Sequence, residues 1–428
     1  MPPIRDASGT LRLGDVDLSR VLREAGSPTY VYDVDAMANE LRALRQSFER
    51  APHLVAYAVK ANTAGPVVRA LAAEGSGADV VSGAELLVAL ACGIPPERIV
   101  FSGVAKQDGE IDQAISCGER GIGAVQIESI EEVARVASRA RALSRRARIS
   151  VRVNPSLELA DATHAHIATG HDAAKFGILR DDVPGAVCLI EACKDLELVG
   201  MAAHAGSQFT TTTPYVESAR VLFGIVRSLR DGGRLQSLTY VNAGGGFGVD
   251  YAGVGAGLPR PSDFVHAVLA EQRAHALSDL MLTIEPGRCL VAPFGILLAC
   301  VIQSKVTSVA RWLMIDAGMN DLIRPALYQA RHRIVPLDGA AIDADAVPWR
   351  VVGPVCESSD DFGEHQLPPK PPAAVAILDA GAYGYTLASR YNGRQLPVEV
   401  FLRKGRVVGR TARMTPQEWA TERAGAGG

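Results

Sequence analysis

The chain has 428 residues, 48 % of them hydrophobic and 21 % charged, with a formal net charge of -3. That length and apolar share allow two packed domains and exclude disorder over most of the chain, and the charge balance lacks the basic footprint that nucleic acid or an anionic membrane selects. No stretch approaches the roughly 20 apolar residues of a membrane span, residues 1–13 carry no apolar signal core, and seven cysteines without C-x-x-C spacing fit free thiols in a reducing cytoplasm.

After a polar start, residues 29–32 read as a short strand and 34–48 as a helix by its apolar spacing. From there β-branched and apolar runs alternate with helical patterns. The strand-like runs are 54–59, 78–81, 99–101, 122–127, 149–153, 198–203, 238–241 and 281–284, and the helical ones 67–73, 84–92, 107–116, 130–143, 183–192, 215–229 and 264–277. Eight alternations predict a parallel (β/α)8 barrel with its chemistry at the C-terminal ends of the strands. Past Gly287 the helical spacing largely disappears. Short strands at 313–315, 350–352, 375–378 and 398–402 predict an all-β domain of sandwich or barrel type, completed by the N-terminal strand near Tyr30. The expected division is therefore a barrel over 34–293 and a second domain made of 1–33 and 294–428. The four prolines within 367–372 read as a stiff exposed loop, and the Ala/Gly tail after Arg423 as a frayed end.

Residue types at the strand ends carry the chemistry. Lys60 follows the first run in Tyr57-Ala58-Val59-Lys60-Ala61-Asn62. A lysine delivered by a buried strand is partly desolvated and can form a Schiff base; a lysine that snorkels to water is the plain alternative. Ser82, Ser102, Glu128, Asn154, His204 and Glu285 follow other runs, as loop residues often do. Gly244, Gly245, Gly246 and Gly248 close another strand without matching G-x-G-x-x-G. Their N–H groups suit a phosphate, and a tight turn is the alternative. Glu285-Pro286-Gly287-Arg288 joins a carboxylate able to keep a pyridine nitrogen protonated to a guanidinium able to grip phosphate or carboxylate. His204 offers a flat ring with Ser207 three residues on. Cys356-Glu357 places a thiol beside an acid, and Tyr383 stands on a glycine-flanked turn.

These motifs, in this order, resemble the fold-type III pyridoxal-phosphate decarboxylases, a barrel family related in fold to alanine racemase, over about residues 28–408. Within that family the chain is similar to the branch acting on diaminopimelate. The resemblance implies pyridoxal 5'-phosphate held by Lys60, with His204 stacked on its ring, Glu285 at the pyridine nitrogen, Ser207, Gly245, Gly246 and Arg288 around the phosphate, and Gly287 also in the cofactor site. Tyr383 would touch the cofactor. Cys356 would be the proton donor to carbon and Glu357 the acid reading the substrate's distal end, both reaching the site of a partner subunit in a homodimer. Arg324 and Tyr328, in Asn320-Asp321-Leu322-Ile323-Arg324-Pro325-Ala326-Leu327-Tyr328, would hold a distal carboxylate together with Arg288. Ornithine or arginine, ending in a cation, would want an acid there instead.

The implied reaction is decarboxylation of meso-2,6-diaminopimelate to L-lysine and carbon dioxide, the last step of lysine biosynthesis. Competing readings are a decarboxylase of another carboxylate-bearing or basic amino acid, an amino-acid racemase on the same barrel, and a non-catalytic regulatory homologue. The Cys356-Glu357 pair argues against the racemase, and retention of both Lys60 and Cys356 against the regulator. Ala205 departs from the family's larger residue and thins the packing expected behind His204. His164, His166 and His171 lie close together, but H-x-H-x4-H is no metal motif with a known mechanism here. A polar lid running into Lys175-Phe176-Gly177, and no metal, is expected.

Overall fold

The computed structural model describes residues 4–6, 9–157, 170–171, 173–253, 255, 257–339 and 345–425. They divide into one unit of Ala38–Val249 and Gly257–Cys289, and another of Met1–Met37, Asp250–Ala256 and Leu290–Gly428.

In the first unit, His53–Ala58, Gly77–Val80, Ile99–Phe101, Ala124–Ile127, Ala147–Asn154, Leu196–Ala203, Tyr240–Asn242 and Met281–Ile284 are all parallel. Each pairs with the next, and the eighth pairs back to the first through Leu282 with His53 and Ile284 with Val55. The expected (β/α)8 barrel is the observed one. Its strands are covered on both faces, which is why they read as continuous apolar runs. Side chains fill the ring. Gly200 leaves room for the ring of Tyr240, since a Cβ there would lie 2.1 Å from Tyr240 Cζ. Ser82 and Ser129 cap the helices after the second and fourth strands, accepting from the backbone N–H of Glu85 and Glu132. Ser82 thus has a structural task at the rim.

Strand ends differ from the sequence reading where a residue turns out of the ladder. The first strand stops at Ala58, and Val59–Ala61 wind into a 3-10 turn that carries Lys60. The buried Tyr57 fixes that turn by donating its hydroxyl to Asn62 O at 2.9 Å.

The second unit is built on the 12-residue strand Gly295–Val306. Its first half pairs with Thr29–Asp33 on one side and Ala374–Ile377 on the other; its second half pairs with Arg311–Ile315. Thr29–Asp33 in turn runs parallel to Val398–Arg403, so an N-terminal strand sits inside a C-terminal sheet. Leu13, Leu18, Val31, Ile296, Leu298, Ala376 and Val400 belong to one buried cluster. Several elements escaped the sequence reading. The polar start holds a small antiparallel sheet and the helix Leu18–Ala25, capped by Asp17. Leu367, expected in an exposed loop, is buried at the end of the strand Asp361–Leu367. Ala424 and Gly425, expected in a frayed end, close the helix Pro416–Gly425, and 426–428 lie outside the described residues. No helix among the described residues is long and apolar enough to cross a membrane.

Glu399 is buried in the strand Val398–Arg403 and accepts a hydrogen bond from the Tyr32 hydroxyl at 3.1 Å. Burial pushes its carboxyl up to about 7, against the smaller opposing effect of that hydrogen bond. Between the ordinary glutamate value near 4.5 and 7 the folded chain therefore binds more protons than the unfolded one, so stability falls as pH rises through that window and levels off above it. Glu399→Gln is expected to remove this slope, with a gain of up to roughly 3 kcal/mol at alkaline pH and none at acid pH. Thermal melts at either end of the window test this, and a gain independent of pH would contradict it.

Candidate active site

The barrel rim gathers the predicted residues of the first unit. Lys60 Nζ donates to Asp79 Oδ2 at 2.7 Å, the lysine side chain being 42 % exposed and the aspartate 1 %. The amine is thus held by a buried carboxylate. Asp79 Oδ1 is itself buried without a hydrogen-bond partner. Gly287 packs against the same turn, where a Cβ would lie 3.0 Å from Ala58 Cβ and 3.1 Å from Ala61 Cβ.

Glu285 sits at the end of the eighth strand, its Oε1 accepting from Asn242 Nδ2 at 2.6 Å. Burial pushes its carboxyl up to about 7. The charge of Asp79 adds to the rise, while Lys60, the Asn242 hydrogen bond and Arg152 pull the other way. Such a desolvated carboxyl favours a cationic N–H as neighbour. His204, at the end of the sixth strand, is held well below the ordinary imidazole range by burial, with the cations Arg152 and Lys60 adding to the effect. Gly245 N–H donates to His204 Nδ1 at 3.1 Å, so the neutral ring carries its proton on Nε2.

The glycine run lies against neighbouring backbone. A Cβ on Gly245 would meet Glu285 O at 2.1 Å, and one on Gly246, whose φ is +101°, would meet Gly206 O at 2.3 Å. Arg288, buried at the start of the short helix Arg288–Val291, donates through Nη2 to Ser207 Oγ at 3.0 Å. Gly170 comes up against the small Ala205: a Cβ on Gly170 would lie 2.9 Å from Ala205 Cα. His164 and His166 lie outside the described residues, whereas His171 O accepts from Asn154 Nδ2 at 2.9 Å.

Arg324, Tyr328, Cys356, Glu357 and Tyr383 all belong to the second unit. Arg324 begins the short helix Arg324–Tyr328 and is buried. Cys356 and Glu357 stand exposed on a turn. Cys356 N–H donates to Asn392 Oδ1 at 2.9 Å, and Glu357 Oε1 accepts from the Tyr391 hydroxyl at 2.5 Å. The buried Asp360 accepts from Met319 N at 2.6 Å and Val355 N at 2.6 Å, tying this turn to the segment leading into Arg324. Tyr383 has a φ of +54°, between Ala382 and Gly384.

Residues that the sequence reading missed include Asp79, Arg152 and Asn242 in the barrel and Asp360, Tyr391 and Asn392 in the second unit. Asp79 had a signal, since an acid inside the apolar run 78–81 must have a partner to be buried there. Arg152 also stands inside a strand. It pairs with Glu128 at 3.1 Å and lies 4.8 Å above the ring of Phe176, whose neighbour Gly177 donates to Glu128 Oε2 at 3.0 Å. Phe176 and Gly177, into which the expected lid runs, are thus tied to the rim, while residues 161–169 and 172 of the lid itself lie outside the described residues.

A family model described as pyridoxal-dependent decarboxylase, pyridoxal binding domain, matches residues 34–292. The chain belongs to the pyridoxal-dependent decarboxylase family. The diaminopimelate decarboxylase of Zymomonas mobilis is 38 % identical to it over 407 residues, 94 % of this chain and 94 % of that relative. The crystal structure of diaminopimelate decarboxylase from Helicobacter pylori complexed with L-lysine matches with a TM-score of 0.87 at 34 % identity, covering 96 % of this chain and 100 % of that one. The diaminopimelate decarboxylase from M. jannaschii in co-complex with L-lysine matches with a TM-score of 0.91 at 32 % identity, covering 98 % and 97 %.

As a pyridoxal-dependent decarboxylase the chain uses pyridoxal phosphate, and the rim fits that group. It offers an amine, a carboxyl whose burial calls for a cationic nitrogen, a neutral flat imidazole, and a glycine run packed so closely on Glu285 and Gly206 that no side chain stands over its backbone. Gly245→Ala is expected to weaken uptake of pyridoxal phosphate by about tenfold or more, read by titrating the apoprotein with the cofactor. Unchanged affinity in a folded variant would show that the close packing of Gly245 on the Glu285 backbone does not bear on cofactor uptake.

Proposed function

We propose that this chain decarboxylates meso-2,6-diaminopimelate to L-lysine and carbon dioxide, the closing step of lysine biosynthesis. The observation that carries this reading is similarity over almost the whole chain to relatives called diaminopimelate decarboxylase, two of them crystallised with L-lysine. The buried guanidinium of Arg324 agrees with it, being the wrong sign for a substrate that ends in a cation.

Residue roles follow from the chemistry at each position. Pyridoxal phosphate, when bound, supplies a protonated ring that accepts the electron pair left by a departing carboxyl. Lys60 is the amine that holds it, and Asp79 keeps that amine oriented and close to a proton acceptor. Glu285 holds a proton at the ring nitrogen, because its desolvated carboxylate gains a cationic partner there. His204, neutral and fixed by Gly245 N–H, lies against the ring without adding charge. Ser207, Gly245, Gly246 and Arg288 bind the phosphate, Gly287 lets the Lys60 turn approach, and Tyr383 contacts the cofactor. Arg324 and Tyr328, with Arg288, take the distal carboxylate of the substrate.

The carbon that loses carbon dioxide must gain a proton, and Cys356 Sγ is the acid assigned to it, with Glu357 beside it for the distal end. We assign both to the site of the partner subunit in a homodimer. The barrel of residues 34–293 is then the cofactor domain, and 1–33 with 294–428 the domain that supplies Cys356, Glu357 and Arg324. None of the seven cysteines is paired in a disulfide, in keeping with a reducing cytoplasm.

Carbon dioxide release should be seen with meso-diaminopimelate and not with ornithine, arginine or lysine, and Arg324→Ala should remove most of it. Comparable turnover of ornithine would overturn the substrate assignment and leave the cofactor chemistry standing. Lys60→Ala should abolish the near-visible absorption of the loaded protein; persistence of that band would remove Lys60 from its role.

A further inference from the structure

Two side chains outside the motifs fix the attitude of Arg324. His332 is 1 % exposed and places its two ring nitrogens 2.7 Å from Arg324 Nη1 and 2.8 Å from Leu378 O. A carbonyl only accepts, so Nδ1 carries the hydrogen; a guanidinium only donates, so Nε2 is bare. These partners confine the imidazole to one neutral tautomer. Tyr251 supplies the other restraint. The Arg324 guanidinium carbon lies 4.1 Å from its ring centroid, and the same ring meets His332 edge-on with centroids 5.0 Å apart.

A planar guanidinium with one N–H pinned and one face stacked has lost both its rotation about the side-chain axis and its tilt. Its fork then points in one direction, and a carboxylate binding to it does not have to order it first. A neutral acceptor does this without cancelling the positive charge, as an aspartate in the same place would. The neighbouring acid Asp379 is paired with Arg333 at 2.7 Å.

We propose that His332, backed by Tyr251, is the positioning residue that aims Arg324 at the distal carboxylate of the substrate and so sets selectivity for a dicarboxylic amino acid. This rests on the role of Arg324 given under the proposed function. Loss of one carboxyl from diaminopimelate leaves the other in L-lysine, so the product still carries the group Arg324 reads, whereas cadaverine lacks it.

The test compares the loaded holoenzyme with its His332→Leu, His332→Gln, Tyr251→Leu and Arg324→Ala variants, measuring kcat, KM and inhibition by L-lysine and by cadaverine. His332→Leu should raise KM for meso-diaminopimelate about tenfold or more with kcat within about threefold, weaken L-lysine by the same factor, and leave cadaverine within about twofold. His332→Gln, whose amide oxygen replaces the acceptor, should keep KM within about threefold of the parent. Tyr251→Leu keeps the imidazole and should show the same split in smaller measure, which preserves the test should His332→Leu not fold. Equal weakening of L-lysine and cadaverine in either variant would overturn the proposal, since a merely structural role does not distinguish them. If Arg324→Ala raises KM while His332→Leu and Tyr251→Leu do not, the positioning role falls and the carboxylate role of Arg324 stands. If Arg324→Ala leaves KM and L-lysine inhibition unchanged, the role of Arg324 falls first.

Discussion

Pairing of the first barrel strand with the eighth is the constraint on which the site depends. Leu282 with His53 and Ile284 with Val55 close the ring, and that closure sets the turn bearing Lys60 beside Glu285, Pro286 and Gly287. Ala58 N–H donates to Pro286 O at 3.1 Å across the seam. Residues more than 220 positions apart in sequence thus share one rim, and an amine, two carboxyls and an imidazole come within electrostatic range of one another.

Desolvation gives that rim its chemical character. In water the carboxyl of Glu285 would be a carboxylate near neutrality, and His204 would titrate close to its ordinary value. At the rim, burial moves both groups toward their neutral forms, and the charges of Asp79, Arg152 and Lys60 bias them further in either direction. Arg152 connects this electrostatic cluster to the loops. It pairs with Glu128, which also accepts from Gly103 N and Gly177 N, so one carboxylate ties two loops to the strand that carries Arg152. The buried carboxylate of Glu128 is thereby satisfied by one guanidinium and two backbone N–H groups.

The second unit solves a different problem, that of presenting polar groups from turns. Its core is a sheet whose central strand binds neighbours on both edges, and its functional candidates stand on the connections. Asp360 collects two backbone N–H groups from two such connections, and His332 uses a strand-end carbonyl to set the tautomer with which it meets Arg324. Short loops gain rigidity here from buried side chains more than from regular structure.

Much was legible in the order of residues. Eight apolar runs spaced by helical patterns specify a parallel barrel because strands covered on both faces need no alternation, and Lys60, His204, the glycines, Glu285 and Arg288 are legible because polar or glycine residues at strand ends must have a task. The short strands of the second domain were legible too, though not the long strand Gly295–Val306, the helix Leu18–Ala25 or the strand containing Leu367. Their apolar patterns are brief, and long-range pairing decides them. Tertiary structure alone decided the partners: Asp79 for Lys60, Arg152 beside His204, Asp360 between two turns, and His332 with Tyr251 around Arg324. Local sequence records which chemistry a residue carries, but which groups meet is set by ring closure and by strands that pair across hundreds of residues.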